Sequence, residues 1–272
     1  MSEEHKLSPK LVIYGVGFVG QELVRIASKK GWEIVAAFNR KGDKIGQDLG
    51  RLAGLDRDLG VIVQDCEDAD YDDINADLVL NTSRDLLEEN MPCYERFLSR
   101  GINVLCHGGE AYNPYWSNRE LAEKIDALAK QNGVSFTGSG IWDMTRLWSG
   151  MIAAGPCVEI NAIHHHTTTE VLRAGMHWAP VVGVGMTVDE YDEKIGRAAG
   201  PITGALTVPS VTVLQHYGYS ITSVDKRQEP IVWEDSVLCP ITKKEYPAGI
   251  VLGTCYVIDV ETAEGVTAST RA

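Results

Sequence analysis

KLVIYGVGFVG, residues 10–20, is the stretch that decides the fold. Residues 11–14 are an apolar run rich in β-branched side chains, with charge before it and glycine after it, the pattern of a buried strand. Gly15, Gly17 and Gly20 follow with the spacing G-x-G-x-x-G. Residues 18–30 then carry apolar residues at helical spacing, with Val19, Leu23, Ile26 and Ala27 on one face, and Gly31 ends the pattern. Residues 33–38, EIVAAF, read as a second strand. Strand, glycine turn, helix and strand in this order make the βαβ unit that binds a dinucleotide, whereas an ordinary α/β turn would hold such glycines only by chance. Gly15 permits the tight turn, Gly17 lets the backbone approach a pyrophosphate, and Gly20 lets helix and strand pack closely. The helix N-terminus presents free N–H groups and the positive end of its dipole. Phe18 and Val19 lie inside the turn and join the three glycines as candidate cofactor contacts.

The second strand runs out into Asn39, Arg40 and Lys41. An acidic residue at this place, about 20 residues past the glycine turn, ordinarily bonds the ribose hydroxyls. Asn39 stands there instead, and the first carboxylate is Asp43. Arg40 and Lys41 suit a 2′-phosphate, so NADP is the expected cofactor, with NAD also accepted; a merely solvated loop is the alternative. Residues 60–65 and 76–80 read as further strands. The second leads into Asn81, Thr82 and Ser83, a small polar turn placed for the cofactor diphosphate or nicotinamide ribose. Residues 90–100 read as a helix with Pro92 in its first turn and Gly101 past its end. A strand at 102–106 runs into His107, Gly108, Gly109 and Glu110. Ser117 to Glu120 read as a capping box opening a helix that Asn132 and Gly133 close, and 134–137 is the last strand of this unit. Gly138-Ser139-Gly140 reads as a hinge.

The expected architecture is therefore α/β, a doubly wound parallel sheet of the Rossmann type over residues 1–138. An α+β domain for substrate binding and oligomerisation follows over 139–272. In that second half, 159–164 and 250–260 read as strands, Thr187 opens a capped helix reaching about Ala198, and 208–217 reads as a helix. Residues 261–272 offer no closing helix.

A net charge of −13 argues against nucleic acid and anionic membrane surfaces as partners. The apolar runs are far shorter than a membrane span. The first ten residues lack the apolar core of a signal peptide. Six cysteines are scattered without a C-x-x-C pair and read as free thiols in a reducing compartment, so a cytoplasmic protein is expected.

The chemistry centres on Glu110. The 102–106 strand delivers it to the carboxyl edge of the sheet, where ligands of this fold lie. Gly108 and Gly109 are expected to leave room for a flat ring, which adds His107 and Gly108 to the cofactor candidates. A carboxylate there is a candidate general acid/base; the bland reading is a solvated or helix-end charge. His164, His165 and His166 alternate faces if they form a strand, and no carboxylate or cysteine stands at ligand spacing, so no metal site is expected. One of the rings, His165, is a candidate for the substrate pocket, with Trp142, Asp143, Met176 and His177; plain core packing is the alternative for each.

Five stretches carry a resemblance: GVGFVGQELVR at 15–25, LNTSRD at 80–85, NVLCHGGEAYNPYW at 103–116, FTGSGI at 136–141 and VVGVGMTVDEYDEKI at 181–195. Together they resemble the dihydrodipicolinate-reductase-like family that contains the 2,4-diaminopentanoate dehydrogenases and the native NAD(P)-dependent amine dehydrogenases. The resemblance implies reductive amination of a small ketone or aldehyde with ammonia to a primary amine, and the reverse oxidative deamination. It implies a homodimer, and it places the family's glutamate, which acts on ammonia and the carbinolamine, at Glu110. The chain departs from dihydrodipicolinate reductase itself, because TTTEVLRAG at 167–175 lacks that enzyme's lysine and D-A-P-S-G-T-A run. It departs from the diaminopentanoate enzymes at Ile141 to Thr145, IWDMT, where they read G-x-N-P-G. The alternatives are a C=N or carbonyl reductase of the dihydrodipicolinate-reductase or homoserine-dehydrogenase type, working without ammonia, and a nucleotide-binding sensor with a degenerate site.

Overall fold

β1 (Lys10–Tyr14) is apolar at every position after its first, and both of its faces are covered. Val12 and Tyr14 point into a core with Phe38, Val79, Leu87, Tyr94, Phe97 and Ile125. Leu11 and Ile13 point into another with Val24, Ala27, Ala37, Leu49 and Leu80. A strand buried on both sides has no polar face to show, which is why the run does not alternate. The computed structural model describes residues 8–174 and 176–272, and their side chains except at 141–144, 174, 177, 201 and 205. The first seven residues, where the absence of a signal peptide was read, lie outside the described residues. The chain divides into two compact units, Met1–Ile141 and Trp142–Ala272.

In the first unit α1 (Phe18–Lys30) and β2 (Glu33–Asn39) follow β1. Then come α2 (Leu49–Leu52), β3 (Val63–Asp65), β4 (Leu78–Asn81), α3 (Leu87–Leu98), β5 (Asn103–Cys106), α4 (Pro114–Ser117), α5 (Arg119–Asn132) and β6 (Phe136–Gly138). Six strands lie in the order β3-β2-β1-β4-β5-β6 and every pairing is parallel. This is the dinucleotide-binding order, with its switch point between β1 and β4. The sequence pattern predicts this sheet, and the structure has it.

Local differences have physical causes. The buried stripe of α1 is Gly20, Val24 and Ala27, while Ile26 is 46% exposed, because Gly20 turns the helix face against the strand. α3 starts at Leu87, not Asn90, so Pro92 sits in its second turn. The cap of α5 is Asn118, whose Oδ1 accepts from Leu121 N–H, and not Ser117. Ser117 closes α4 and donates to the Glu110 carbonyl at 3.2 Å.

α2 is short and is held by one side chain. Asp48 accepts from the N–H groups of Gly50, Arg51, Leu59 and Gly60 at 2.8, 3.4, 3.0 and 2.8 Å. Burial pushes its carboxyl up, but the four N–H groups together overcome this and hold it below the usual carboxylate range. Its stabilisation is therefore complete above the unfolded value of about 4 and is lost as pH falls through the lower folded value. Asp48→Ala is expected to lower stability by about 2 kcal/mol in denaturant melts at pH 7. Asp48→Asn is expected to flatten the acid limb of stability below about pH 4.

The second unit contains α6 (Ile141–Ala154), β7 (Ala162–His166), α7 (Val171–Ala174), α8 (Val188–Lys194), α9 (Pro201–His216), β8 (Ile221–Val232), β9 (Val237–Leu238), β10 (Glu245–Tyr246), β11 (Val251–Thr262) and β12 (Thr267–Arg271). A four-stranded mixed sheet has the order β7-β12-β11-β8, with β7 and β12 parallel. The capping box at Thr187 is present, reciprocal with Glu190, although α8 ends at Lys194. α9 begins at Pro201, seven residues before the expected start. The expected 159–164 strand is displaced to 162–166.

β8, β12 and α6 have no counterpart among the expected elements. β8 reads ITSVDKRQEPIV, and its charged middle looks like a solvated loop. In the fold Arg227 donates to Asp225, Glu229 and Asp259 at 2.8, 3.0 and 3.0 Å, so the charges pair across one sheet face. Among the described residues, no helix is long and apolar enough to cross a membrane. All six cysteines are free thiols.

Candidate active site

The glycine turn after β1 is held from three sides. Gly15 has φ +100°, and a Cβ there would stand 2.8 Å from Ser83 N. A Cβ on Gly20 would run into the Gly15 carbonyl oxygen, so helix and strand touch through backbone. Nothing lies within 4 Å of where a Cβ on Gly17 would stand. α1 begins at Phe18, with no side-chain cap and no acidic residue in its first turn. Its orphan N–H groups and dipole therefore face an open space beside Gly17. Phe18 is 62% exposed at this turn, and Val19 is half-buried.

Asn39, at the end of β2, accepts from Val16 N–H at 3.0 Å and donates to the Arg40 carbonyl. It is spent on shaping the turn. Arg40 and Lys41 are exposed and make no ion pair among the described residues. Lys44 Nζ donates to the Val16 carbonyl at 2.6 Å.

The turn after β4 is a closed polar network. Asn81 is fully buried, and its Nδ2 donates to Asn90 Oδ1 at 2.9 Å. Ser83 N–H donates to Asn81 Oδ1 at 3.0 Å, and its hydroxyl lies 2.7 and 2.8 Å from the Asn81 and Asn90 oxygens. Asn90 Nδ2 donates to the carbonyls of Arg84 and Leu86. Thr82 Oγ1 donates to the Gly15 carbonyl at 2.7 Å. The Thr82 side chain thus locks this turn to the glycine turn, while Asn81 and Ser83 tie it to Asn90 inside α3.

The loop after β5 is latched to the same segment. His107 N–H donates to the Asn81 carbonyl at 2.8 Å, Gly109 N–H to Asp85 Oδ1 at 3.3 Å and Glu110 N–H to the Asp85 carbonyl at 3.2 Å. A Cβ on Gly108 would meet the Arg84 carbonyl at 2.5 Å. That corrects the expectation of room for a flat ring there: Gly108 is a packing glycine. Glu110 lies in a 3-10 turn, Gly109–Tyr112, and is half-buried. Its Oε2 accepts from Leu87 N–H at 2.8 Å, so it caps α3, whose own N-cap, Leu86, has no side chain able to do so. Glu110 Oε1 has no hydrogen-bond partner among the described residues.

The candidate substrate residues all fall at or beyond Trp142, in the second unit. His164 and His166 share one face of β7 and His165 takes the other. His165 Nδ1 is buried without a hydrogen-bond partner among the described residues. Burial, with Arg146 and His166 nearby, pushes the ring below the ordinary histidine value. Met176 is 53% exposed. The side chains of Trp142, Asp143 and His177 lie outside the described residues. Among those residues, no group of three or more His, Cys, Asp or Glu is placed to hold a metal ion.

No protein-family model matches the chain. The 2,4-diaminopentanoate dehydrogenase of Acetoanaerobium sticklandii is 28% identical over 241 residues, 80% of this chain. The chain spans 66% of that protein's length, just under two thirds. The structure of an amine dehydrogenase from Mycobacterium smegmatis matches with a TM-score of 0.78 at 26% identity, over 98% of this chain and 79% of that one. Sequence and fold relate this chain to the amine and diaminopentanoate dehydrogenases. A biliverdin reductase from Synechocystis sp. PCC 6803, solved with biliverdin and NADP+, shares the fold alone, at 13% identity and a TM-score of 0.55 over 97% of this chain and 71% of that one.

In this relative of the amine dehydrogenases, the residues that sequence reasoning missed are Lys44, Asp85 and Asn90. Lys44 had a signal: a third cation within five residues, in an acidic chain. Asp85 had none, because it acts on backbone groups of a loop that only the parallel pairing of β4 with β5 brings alongside, and Asn90 had none because it acts from inside α3 on the turn before it.

Proposed function

We propose that the protein is an NAD(P)H-dependent amine dehydrogenase that interconverts a small ketone or aldehyde plus ammonia with a primary amine. The observation that carries the reading is Glu110: a carboxylate with one oxygen fixed by Leu87 N–H and the other without a partner among the described residues, at the carboxyl edge of a dinucleotide-binding sheet, in a chain related to amine-acting dehydrogenases.

The glycine turn fits a dinucleotide, since the one direction left open is at Gly17, beside uncapped helix N–H groups. When bound, the nicotinamide supplies the hydride in the reductive direction and accepts it in the oxidative one. The chain's own part is proton handling. Glu110 Oε1 takes a proton from ammonium, freeing the ammonia that adds to the carbonyl, and returns it to the hydroxyl of the neutral carbinolamine so that water leaves and the iminium cation remains. The carboxylate then faces the iminium cation and stabilises its charge, most effectively where water is excluded. The Leu87 N–H holds the side chain in place while this happens.

Gly17, Arg40 and Lys41 would meet the cofactor directly, and Gly15 and Gly20 give the turn the close packing that shapes it. Asn39, Asn81, Thr82 and Ser83 hold the loops that do so. The absence of an acidic residue at the end of β2 favours NADP, with NAD also accepted. The second unit is assigned to substrate binding, with His165 as a candidate contact, and to a homodimer interface. Free thiols and an acidic surface suit the cytoplasm.

The test is NADPH and NADH oxidation with a panel of small ketones and aldehydes, each with and without ammonium. Oxidation that needs both carbonyl and ammonium is expected. Carbonyl-dependent oxidation that ignores ammonium would replace this reading with a carbonyl reductase. Tight cofactor binding with no turnover across the panel would favour a sensor.

A further inference from the structure

We propose that Lys44 is a ligand of the 2′-phosphate of NADPH and sets the preference for NADPH over NADH, together with Arg40 and Lys41; this rests on the dinucleotide reading above. The position of Lys44 is set by the glycine turn itself. Its Nζ donates to the Val16 carbonyl at 2.6 Å, while the N–H of the same residue donates to Asn39 at 3.0 Å. Val16 thus joins the end of β2, where a ribose 2′ position is read in this fold, to the residue carrying the cation. Gln21 Nε2 reaches the same carbonyl at 3.4 Å, so the anchor point is fixed from the helix side as well.

Lys44 is a half-buried residue, and its ammonium has no carboxylate partner among the described residues. It carries three donors and the carbonyl uses one, which leaves two for an anion. A cation held in place with spare donors makes charge-assisted hydrogen bonds to a dianionic phosphate that a neutral ribose hydroxyl cannot match. The surroundings point the same way. Residues 39–46 hold three cations, Arg40, Lys41 and Lys44, against one carboxylate, Asp43, in a chain of net charge −13. Arg40 and Lys41 are exposed on a loop, whereas Lys44 is tethered. A tethered cation loses less side-chain freedom on binding, so it contributes more discrimination than its two neighbours.

The experiment is a fluorescence titration of the full chain with NADPH and with NADH, for wild type, Lys44→Met, Lys44→Gln and Lys44→Arg, each first checked for an unchanged thermal melt. The Kd for NADPH is expected to rise about tenfold or more in the Met and Gln variants, with the Kd for NADH unchanged within about twofold. Lys44→Arg is expected to keep most of the preference. The salt dependence of NADPH binding should fall in the neutral variants and stay put for NADH. A purely structural strut on Val16 would weaken both cofactors together, and that outcome overturns the proposal. So does an unchanged pair of constants. If Met perturbs folding, Gln, which keeps a donor for Val16 without the charge, decides on the same ratio. Wild-type protein that binds neither cofactor would instead bring down the dinucleotide reading, an outcome distinct from any change in the ratio.

Discussion

Glu110→Gln is expected to lower kcat for ammonium-dependent NADPH oxidation by about 10²–10³-fold while the Kd for NADPH stays within about twofold. The amide oxygen of glutamine still accepts from Leu87 N–H, so the first turn of α3 keeps its cap and the fold keeps its stability. What disappears is a group able to take and return a proton and to face a cation. Glu110→Ala separates the two jobs of this side chain. It should show the same loss of kcat together with about 1 kcal/mol less stability, because the N-terminus of α3 then has no side-chain acceptor. Stopped-flow turnover, cofactor titration and thermal melts on both variants read the three quantities. Near-normal turnover in Glu110→Gln would reduce Glu110 to a helix cap and remove it from the chemistry.

Gly17→Ala and Gly20→Ala are expected to fail in opposite ways, although they lie three residues apart. Gly17 has extended backbone angles that any residue adopts, and its Cβ direction is empty. The Ala variant should fold with an unchanged Tm, yet bind NADPH and NADH about a hundredfold more weakly, because the new methyl stands where the diphosphate must come close. Gly20 presses against the Gly15 carbonyl. A methyl there must push helix and strand apart, at about 3 kcal/mol or more and a Tm drop of roughly 5–10 °C. Weak binding without instability at Gly17, and instability at Gly20, would show that one glycine serves the ligand and the other the packing. A Gly17→Ala protein that still bound cofactor tightly would contradict the placing of the diphosphate beside this turn.

These two sites also show where the sequence is easy to read. The glycine turn is legible because its logic is local: strand, turn and helix lie within about 20 residues, and each glycine meets its partner inside that span or just across the sheet. The setting of Glu110 was legible only in part. Its delivery to the carboxyl edge follows from the strand before it. Its hydrogen bond to Leu87 spans 23 residues and depends on β4 lying beside β5. That bond explains why α3 begins a turn early: no local residue caps Leu87, so the sequence around it gives no start signal. The Gly108 expectation failed for a related reason. A glycine marks closeness of something, but sequence does not say whether that is a ligand or, as here, the Arg84 carbonyl.

By itself the sequence determined the βαβ unit, the parallel sheet that continues it, the resemblance to amine-acting dehydrogenases, and the missing carboxylate at the end of β2. All of these are written in short-range periodicity, in residue types at fixed spacing, or in the simple absence of a charge. Tertiary structure alone decided three things. Lys44 becomes part of the glycine turn through a bond spanning 28 residues. Asn81, Asn90 and Ser83 become a buried lock in place of a free polar turn. The charged run of β8 becomes a strand because β11 pairs with it along its length, which sets Arg227 beside Asp259 with Asp225 and Glu229 on the same sheet face. The physical reason is common to all three. A polar or charged side chain is equally at home in water, so its own sequence neighbourhood says little. Only the folded chain, which brings a partner close, decides whether it is spent on the fold or left for a ligand.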